Sequence, residues 1–69
     1  MQDKKPRPKE ATDEVLRFLF SLRESGTTNM FHAPVVLEEQ YGFNRRQSRA
    51  VFEYWADNFG ELENEYQNS

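Results

Sequence analysis

Apolar side chains in residues 35–59 recur every three or four positions, which is the period of an α-helix and not that of a β-strand. The repeat is interrupted once, near Gly42. A glycine at this place can adopt the left-handed conformation that closes a helix. Asn44 is a good N-cap, and Gln47 stands three residues later, as in a capping box. The pattern therefore predicts one helix that ends at Gly42 and another that begins at Asn44.

The helix after this turn has a distinct core-facing side. Its inward positions are Val51, Tyr54, Trp55 and Asn58, with Phe52 and Phe59 flanking them. The shorter helix before the turn places Leu37 and Tyr41 on one face, four residues apart. Pro34 suits the first turn of that helix and disfavours a helical conformation at Ala33.

An earlier apolar stripe predicts a further helix, opened by Glu10 or Thr12 and ended by Gly26. The stripe consists of Val15, Phe18, Leu19 and Leu22, with Leu16 and Phe20 beside it. Phe20 lies far enough round this helix to need a second contact, for which the loop at residues 27–33 is one candidate. Gly60 is expected to stop the last helix, and beyond it we expect one more helical turn or a disordered acidic tail.

Together these elements predict an all-α, three-helix domain over residues 10–62, with a flexible basic arm at 1–9 and an acidic tail at 63–69. A chain of 69 residues forms one domain at most, and its ten aromatic residues let a small core bury much area. No apolar run approaches the roughly 18 residues of a membrane span, and the charged start of the chain does not resemble a secretory signal. We therefore expect a cytoplasmic location and no membrane partner.

The loop at residues 27–33 carries two large apolar side chains, Met30 and Phe31. Side chains of this kind are commonly buried, so one interpretation is that they plug the end of the core. The other interpretation is an exposed surface for a partner, formed by Phe20, Met30 and Phe31.

The residue types argue against catalysis and against a bound metal or cofactor. Glu38 and Glu39 are adjacent on a helix and point about 100° apart, so they do not form a catalytic pair. The chain has no cysteine, and a single histidine, His32, cannot form a zinc site of the usual kind. The three glycines lie too far apart for a phosphate-binding loop. We therefore expect no enzyme activity, no cofactor and no small-molecule substrate.

The most informative polar cluster is Arg45, Arg46 and Arg49, on the face of the last helix opposite its core-facing side. Arg45 and Arg46 occupy the first turn, where the helix macrodipole disfavours cations by about 0.3–1 kcal/mol each. One interpretation is an anionic partner that meets the guanidinium groups. The other is that nearby acids pair with the arginines. These acids are Glu38, Glu39 and Glu53.

A recognisable pattern surrounds the predicted turn. It consists of Leu37, Tyr41-Gly42-Phe43-Asn44 and Val51. This spacing resembles the helix-turn-helix motif of DNA-binding proteins. The resemblance implies that the residues facing the DNA groove are Arg45, Arg46, Gln47 and Arg49. Two positions depart from the motif, which usually has a small residue where Glu38 stands and an apolar residue where Ser48 stands.

A second set of residues extends over 16–59. It consists of Ser25-Gly26-Thr27-Thr28-Asn29-Met30-Phe31, Pro34, Tyr41-Gly42-Phe43, Arg46 and Trp55. This set is similar to small uncharacterised proteins of tailed phages and their metagenomic relatives, which typically read Ser-Gly-x-Thr-Asn-Met-Phe before a helix opened by proline. The resemblance implies a phage or prophage origin, and so the cytoplasm of an infected or lysogenic bacterial host. It implies no activity.

The sequence as a whole favours a small non-catalytic binding protein that engages another macromolecule, a protein rather than DNA. The net charge of −3 and the five acids of residues 53–69, which include no Lys or Arg, decide that balance. The alternative is a helix-turn-helix transcriptional regulator that contacts DNA through the arginines of the last helix. A third interpretation is a component of an assembly, in which Phe20, Met30 and Phe31 form an oligomer contact.

Overall fold

The structure, a computed structural model, describes residues 7–26 and 29–66, and all regular elements in these two segments are helices. The elements are α1 (Asp13–Ser25), a single 3-10 turn (Met30–His32), α2 (Ala33–Tyr41), α3 (Arg45–Asp57) and α4 (Phe59–Tyr66). The predicted all-α class is confirmed, and all three predicted helices are present. A fourth helix continues through residues 63–66, which belonged to the predicted tail. Residues 1–6 of the predicted arm, residues 67–69 of the tail, and Thr27 and Thr28 lie outside the described residues.

Helix α1 begins and ends on local signals. Thr12 is the N-cap, and its hydroxyl accepts a hydrogen bond of 3.3 Å from the backbone N–H of Val15. Asp13 follows in the first turn, where the helix dipole favours a negative charge. Gly26 closes the helix in the left-handed conformation, with φ of 66°. Of the two predicted starts, Thr12 is therefore the one that the structure shows.

The predicted turn between α2 and α3 is confirmed at both ends. Gly42 has φ of 72°, and its N–H donates to the carbonyl of Glu38 at 2.9 Å. Asn44 and Gln47 form a complete capping box, with the side chain of each accepting a hydrogen bond from the backbone N–H of the other at 2.7 and 3.0 Å. Two helices are thus joined by three residues whose backbone groups are largely satisfied within the turn.

The expectation of a non-helical Ala33 is wrong. Ala33 has helical dihedral angles, φ −53° and ψ −42°, and its N–H donates to the carbonyl of Met30. The reason is that the 3-10 turn, capped by Asn29, runs directly into α2, so the helical path is already set before the proline is reached. Pro34 then stands in the first turn of α2, where a missing N–H costs no intrahelical bond.

The expectation that Gly60 stops a helix is also wrong, because Gly60 is the second residue of α4. The chain leaves α3 at Asn58, whose backbone and side-chain N–H groups both donate to the carbonyl of Tyr54, at 3.1 and 2.9 Å. The carbonyl of Asn58 accepts from the N–H of Leu62 at 2.9 Å and so opens α4. One buried asparagine therefore separates α3 from α4 without a linker.

The core lies where α1, α3 and α4 meet, and its centre is aromatic. Phe20 of α1 is 2% exposed and has its ring centroid 5.4 Å from Trp55, 5.5 Å from Phe59 and 6.3 Å from Tyr66. The second contact predicted for Phe20 is therefore made mainly by aromatic residues of α4, and not by the loop that the sequence suggested. Aliphatic side chains complete the core. They are Val15, Leu16, Leu19, Leu37, Val51 and Leu62.

Two arginines of α1 cover the aromatic residues of α4. The guanidinium carbon of Arg17 lies 5.6 Å from the ring centre of Tyr66, and that of Arg23 lies 4.7 Å from the ring centre of Phe59. Each such contact contributes about 0.5–1 kcal/mol at an exposed site. Helix α4 is therefore an integral part of the domain. No helix in residues 7–26 or 29–66 is long and apolar enough to span a membrane.

Candidate functional site

A groove of about 570 Å³ lies between α2 and α3. Its apolar lining consists of Phe31, Pro34, Val35 and Phe52. Its charged lining consists of Glu38, Arg45, Arg49 and Glu53. We call this region the α2–α3 groove. Its apolar part is open to solvent, because Phe31 is 88% exposed and Val35 is 47% exposed, and these are the two exposed large hydrophobic residues of the described chain.

The 3-10 turn holds Phe31 in its outward position. The side chain of Asn29 accepts a hydrogen bond of 2.9 Å from the N–H of Phe31, and the N–H of His32 donates to the carbonyl of Asn29 at 2.8 Å. Met30 and Phe31 consequently lie in different environments. Met30 packs against the core, as one interpretation predicted, whereas Phe31 does not plug the core. Burying an exposed phenylalanine contributes about 1.5–3 kcal/mol, so Phe31 is a strong candidate for a partner contact.

Phe20 does not belong to this surface. The prediction grouped Phe20 with Met30 and Phe31, but the ring of Phe20 lies in the core among Trp55 and the aromatic side chains of α4. The position of Phe20 on α1 directs its ring to the side that α4 covers. The sequence pattern predicted no more than one helical turn in place of α4. The exposed apolar surface is therefore formed by Phe31 with Val35 and not with Phe20.

The three arginines are exposed, as their helical spacing predicts. Arg49 Nε lies 3.7 Å from an oxygen of Glu53, four residues later, which is a surface ion pair of little energetic value. Arg45 and Arg46 take part in no ion pair among residues 7–26 and 29–66. The predicted pairing of these arginines with acids of α2 is therefore not seen in this part of the chain.

Glu38 instead contacts Ser48. The Ser48 hydroxyl is fully buried, 3.1 Å from the carbonyl oxygen of Arg45 and 3.4 Å from a carboxylate oxygen of Glu38. These are the two positions that depart from the helix-turn-helix pattern. In the helix-turn-helix pattern a small residue and an apolar residue occupy these positions, whereas here they are occupied by two polar residues, Glu38 and Ser48. Their contact satisfies the buried hydroxyl and leaves the Glu38 carboxylate on the wall of the groove.

Gln47 is engaged inside the molecule. Its side-chain oxygen accepts from the backbone N–H of Asn44, and its side-chain nitrogen donates to Glu10 at 3.1 Å. The second bond joins α3 to the segment before α1 across 37 positions of the chain. Both functional groups of this amide are therefore in use, which leaves them poorly placed to read a base edge.

Helix α3 carries its charges in the reverse of the order that its dipole favours. Its first turn has no acid and its last turn has no base. Arg45, Arg46 and Arg49 stand in the first half, and Glu53 and Asp57 stand in the second half. Within the end turns, each charge of the unfavourable sign costs about 0.3–1 kcal/mol. The arrangement does not serve the stability of an isolated helix.

A second polar cluster joins the two ends of the described chain. Arg7 donates to the carbonyl of Ala11 at 2.7 Å and to Asp13 at 2.9 Å, and the Tyr66 hydroxyl also donates to Asp13. The pKa of the Asp13 carboxyl is lowered because Tyr66 and then Arg7 donate hydrogen bonds to it. The pKa of the Tyr66 hydroxyl is raised, chiefly because the protonated hydroxyl donates a hydrogen bond to the Asp13 carboxylate. Sequence reasoning missed this cluster.

No group of three His, Cys, Asp or Glu side chains within residues 7–26 and 29–66 is arranged to hold a metal ion. His32, the last residue of the 3-10 turn, is exposed. Comparison of the chain with protein-family models, with curated proteins and with solved structures finds no match. The α2–α3 groove is therefore interpreted from its own residues.

Proposed function

We propose that this chain is a small non-catalytic binding protein that engages another protein through the α2–α3 groove. The observation that carries the proposal is Phe31, a large apolar residue that is 88% exposed and whose backbone N–H donates a hydrogen bond to the side chain of Asn29. Val35 and Phe52 extend the same apolar surface, and charged side chains surround it. An apolar centre with a charged rim is the usual composition of a protein–protein contact. The resemblance to tailed-phage proteins supports action in the cytoplasm of an infected or lysogenic bacterial host.

Three features favour a protein partner over DNA. Glu38 and Glu53 lie in the groove beside Arg45 and Arg49. The negative charge of the two glutamates would repel a phosphate backbone. Gln47, one of the residues expected to face DNA, has its amide occupied by Asn44 and Glu10. The chain as a whole has a net charge of −3.

The alternative function is a helix-turn-helix DNA-binding regulator. One observation supports it: Arg45 and Arg46 are exposed on the first turn of α3 and form no ion pair within residues 7–26 and 29–66. Such arginines suit phosphate oxygens at a helix N-terminus. On this alternative, replacing Arg45, Arg46 and Arg49 by Gln abolishes DNA binding. The wild-type affinity then falls with salt along a log–log slope of about −3.

A capture experiment from bacterial lysate separates the two functions. The tagged chain is used with and without nuclease, beside Phe31→Ser and Val35→Ser. Glu63→Gln, an exposed change on α4, is the matched control. A protein captured after nuclease treatment, lost in both groove variants and kept in the control, supports the proposal. Capture that survives Phe31→Ser contradicts it, and capture that requires nucleic acid supports the alternative.

A further inference from the structure

We infer that the partner seated on the α2–α3 groove is a second copy of this chain, with the two α3 helices antiparallel. The inference rests on the proposed function, because it names the partner of the same groove. It is carried by the charge order of α3 together with the exposed apolar residues beside it.

Four of the exposed charges of α3 form one row, which we call the charge line. Arg45, Arg49, Glu53 and Asp57 follow one another in it at intervals of four residues, and all four are exposed. Residues spaced by four are neighbours on a helix surface and form a ridge inclined to the helix axis. The charge line therefore runs from positive to negative along α3, and Phe52 stands beside its middle, in the lining of the groove.

Antiparallel pairing makes the charge line self-complementary. With a two-fold axis at the level of residue 51, Arg49 faces Glu53 of the second copy, and Arg45 faces Asp57 of the second copy. A two-fold contact repeats each pairing once more in the opposite direction. Arg49 keeps Glu53 of its own chain as a neighbour and gains a second carboxylate.

The helix dipole gives the same answer from the same charge order. The N-terminal end of α3 favours a negative charge and its C-terminal end favours a positive one, but the chain places arginines at the first and acids at the second. An antiparallel second copy brings its Asp57 to the N-terminal end of α3 and its Arg45 to the C-terminal end. An acidic peptide would satisfy only the arginine half and would meet Glu53 and Asp57 with like charge. This difference favours a second copy over an acidic partner.

The apolar residues supply the centre of the contact. Phe31 of the 3-10 turn and Val35 of α2 lie in the same groove as Phe52 of α3, and a two-fold contact covers them on both copies. Helix α3 has 13 residues and is about 20 Å long. With α2 beside it, the face measures roughly 400 Å² per copy, below the roughly 800 Å² per partner of stable complexes. The dimer is therefore weak and is populated only at high protein concentration.

Sedimentation of the purified full chain tests the contact. Measurements run from about 10 μM to about 1 mM, a range that brackets the affinities of small interfaces. The expected apparent mass rises from the 8.2 kDa of one chain towards twice that value, and less so at high salt. Phe31→Ser stays monomeric, whereas Glu63→Gln behaves as the wild type. A wild-type chain that remains monomeric throughout overturns the inference.

Two charge variants test the pairing itself. One carries Arg45→Glu and Arg49→Glu, and the other carries Glu53→Arg and Asp57→Arg. Each places the charge that the α3 dipole favours, so each is expected to fold, and circular dichroism verifies this. Alone, each stays monomeric because the four positions 45, 49, 53 and 57 then carry one sign of charge. Mixed in equal amounts, the two form a heterodimer, and a mixture that stays monomeric contradicts the inference.

The absence of cysteine allows the orientation to be tested by cross-linking. Chains with Arg45→Cys and chains with Asp57→Cys, mixed and oxidised, are expected to form mainly the mixed disulfide. A predominant disulfide between two Arg45→Cys chains would show parallel helices and overturn the antiparallel arrangement.

Lysate capture by the same proteins distinguishes the inference from the proposed function. A monomeric wild type that still captures a different protein, with loss in Phe31→Ser, overturns the inference and leaves the proposed function standing. A dimer that captures no other protein upholds the inference and overturns engagement of a different partner.

Discussion

The hydroxyl of Tyr66 donates a hydrogen bond of 2.5 Å to Asp13, which lies 53 positions earlier in the chain. The side chain of Arg7 donates to the same carboxylate oxygen and lies 3.4 Å from the Tyr66 hydroxyl. One acid in the first turn of α1 therefore binds both the segment before α1 and the last residue of α4. Because the acid already favours the start of α1 through the dipole, a single carboxylate serves three purposes.

This cluster predicts a stability that declines at both ends of the pH range. The pKa of Asp13 is lower in the folded chain, so its contribution is present above the unfolded value near 3.8 and is lost as the pH falls through the folded value. The pKa of Tyr66 is raised, so its contribution is present below the unfolded value near 10.0 and is lost as the pH rises through the folded value. Thermal melting as a function of pH measures both effects.

Two substitutions assign these effects. Asp13→Asn is expected to remove part of the acid-side decline, and Tyr66→Phe is expected to remove part of the alkaline one, because each eliminates one titrating group. Tyr54→Phe is a control for the loss of a tyrosine hydroxyl elsewhere. An alkaline decline that is identical in wild type and Tyr66→Phe would show that the hydrogen bond to Asp13 adds nothing to stability.

Trp55 is predicted to be the most sensitive core position. It is 4% exposed and its ring lies 5.4 Å from Phe20 and 5.2 Å from Phe59. Trp55→Ala is expected to cost about 3–5 kcal/mol, which is most of the stability of so small a domain. Trp55→Phe should cost less, because the buried indole N–H has no hydrogen-bond partner among the described residues and its removal offsets part of the lost volume. Chemical denaturation compares the variants.

The two glycines on either side of α3 should respond to alanine with opposite signs. Gly42 has φ of 72°, so Gly42→Ala is expected to destabilise the chain by about 1 kcal/mol. Gly60 is helical and no atom in the described part of the chain lies within 4 Å of an added Cβ, so Gly60→Ala is expected to stabilise the chain by about 0.5–1 kcal/mol. Melting temperatures measure both changes. A destabilising Gly60→Ala would contradict the helical conformation at Gly60.

Met30 and Phe31 provide a comparison of neighbouring residues. Phe31→Ser is expected to change the free energy of unfolding by no more than about 0.5 kcal/mol, because Phe31 is exposed. Met30→Ser should cost more, since Met30 packs against the core. Urea titrations at low protein concentration, where the chain is monomeric, make the comparison. Equal losses in the two variants would place Phe31 in the core after all.

Local chemistry was enough to predict three helices, because neighbouring residues in the sequence determine where these helices begin and end. Thr12 accepts from Val15, Gly42 takes a positive φ, and Asn44 forms its box with Gln47, all within a few positions. The arginines were predicted to be exposed for the same reason, since helical period alone determines the face.

What the sequence did not reveal depends on contacts between distant segments. Helix α4 was underestimated because Gly60 suggests a stop, whereas the actual break is made by the buried Asn58. The direction of Phe31 follows from the backbone of a single turn and not from its hydrophobicity. The Gln47 bond to Glu10 and the Tyr66 bond to Asp13 each require the tertiary fold to exist first.

The contact of Arg7 with Tyr66 has a practical consequence for how this domain can be joined to others. Because Arg7 and Tyr66, at the two ends of the described residues 7–66, have their side chains in contact, these two points of the chain suit insertion of the domain into a surface loop of a host protein. Short linkers on the two sides would suffice, and neither would have to cross the domain.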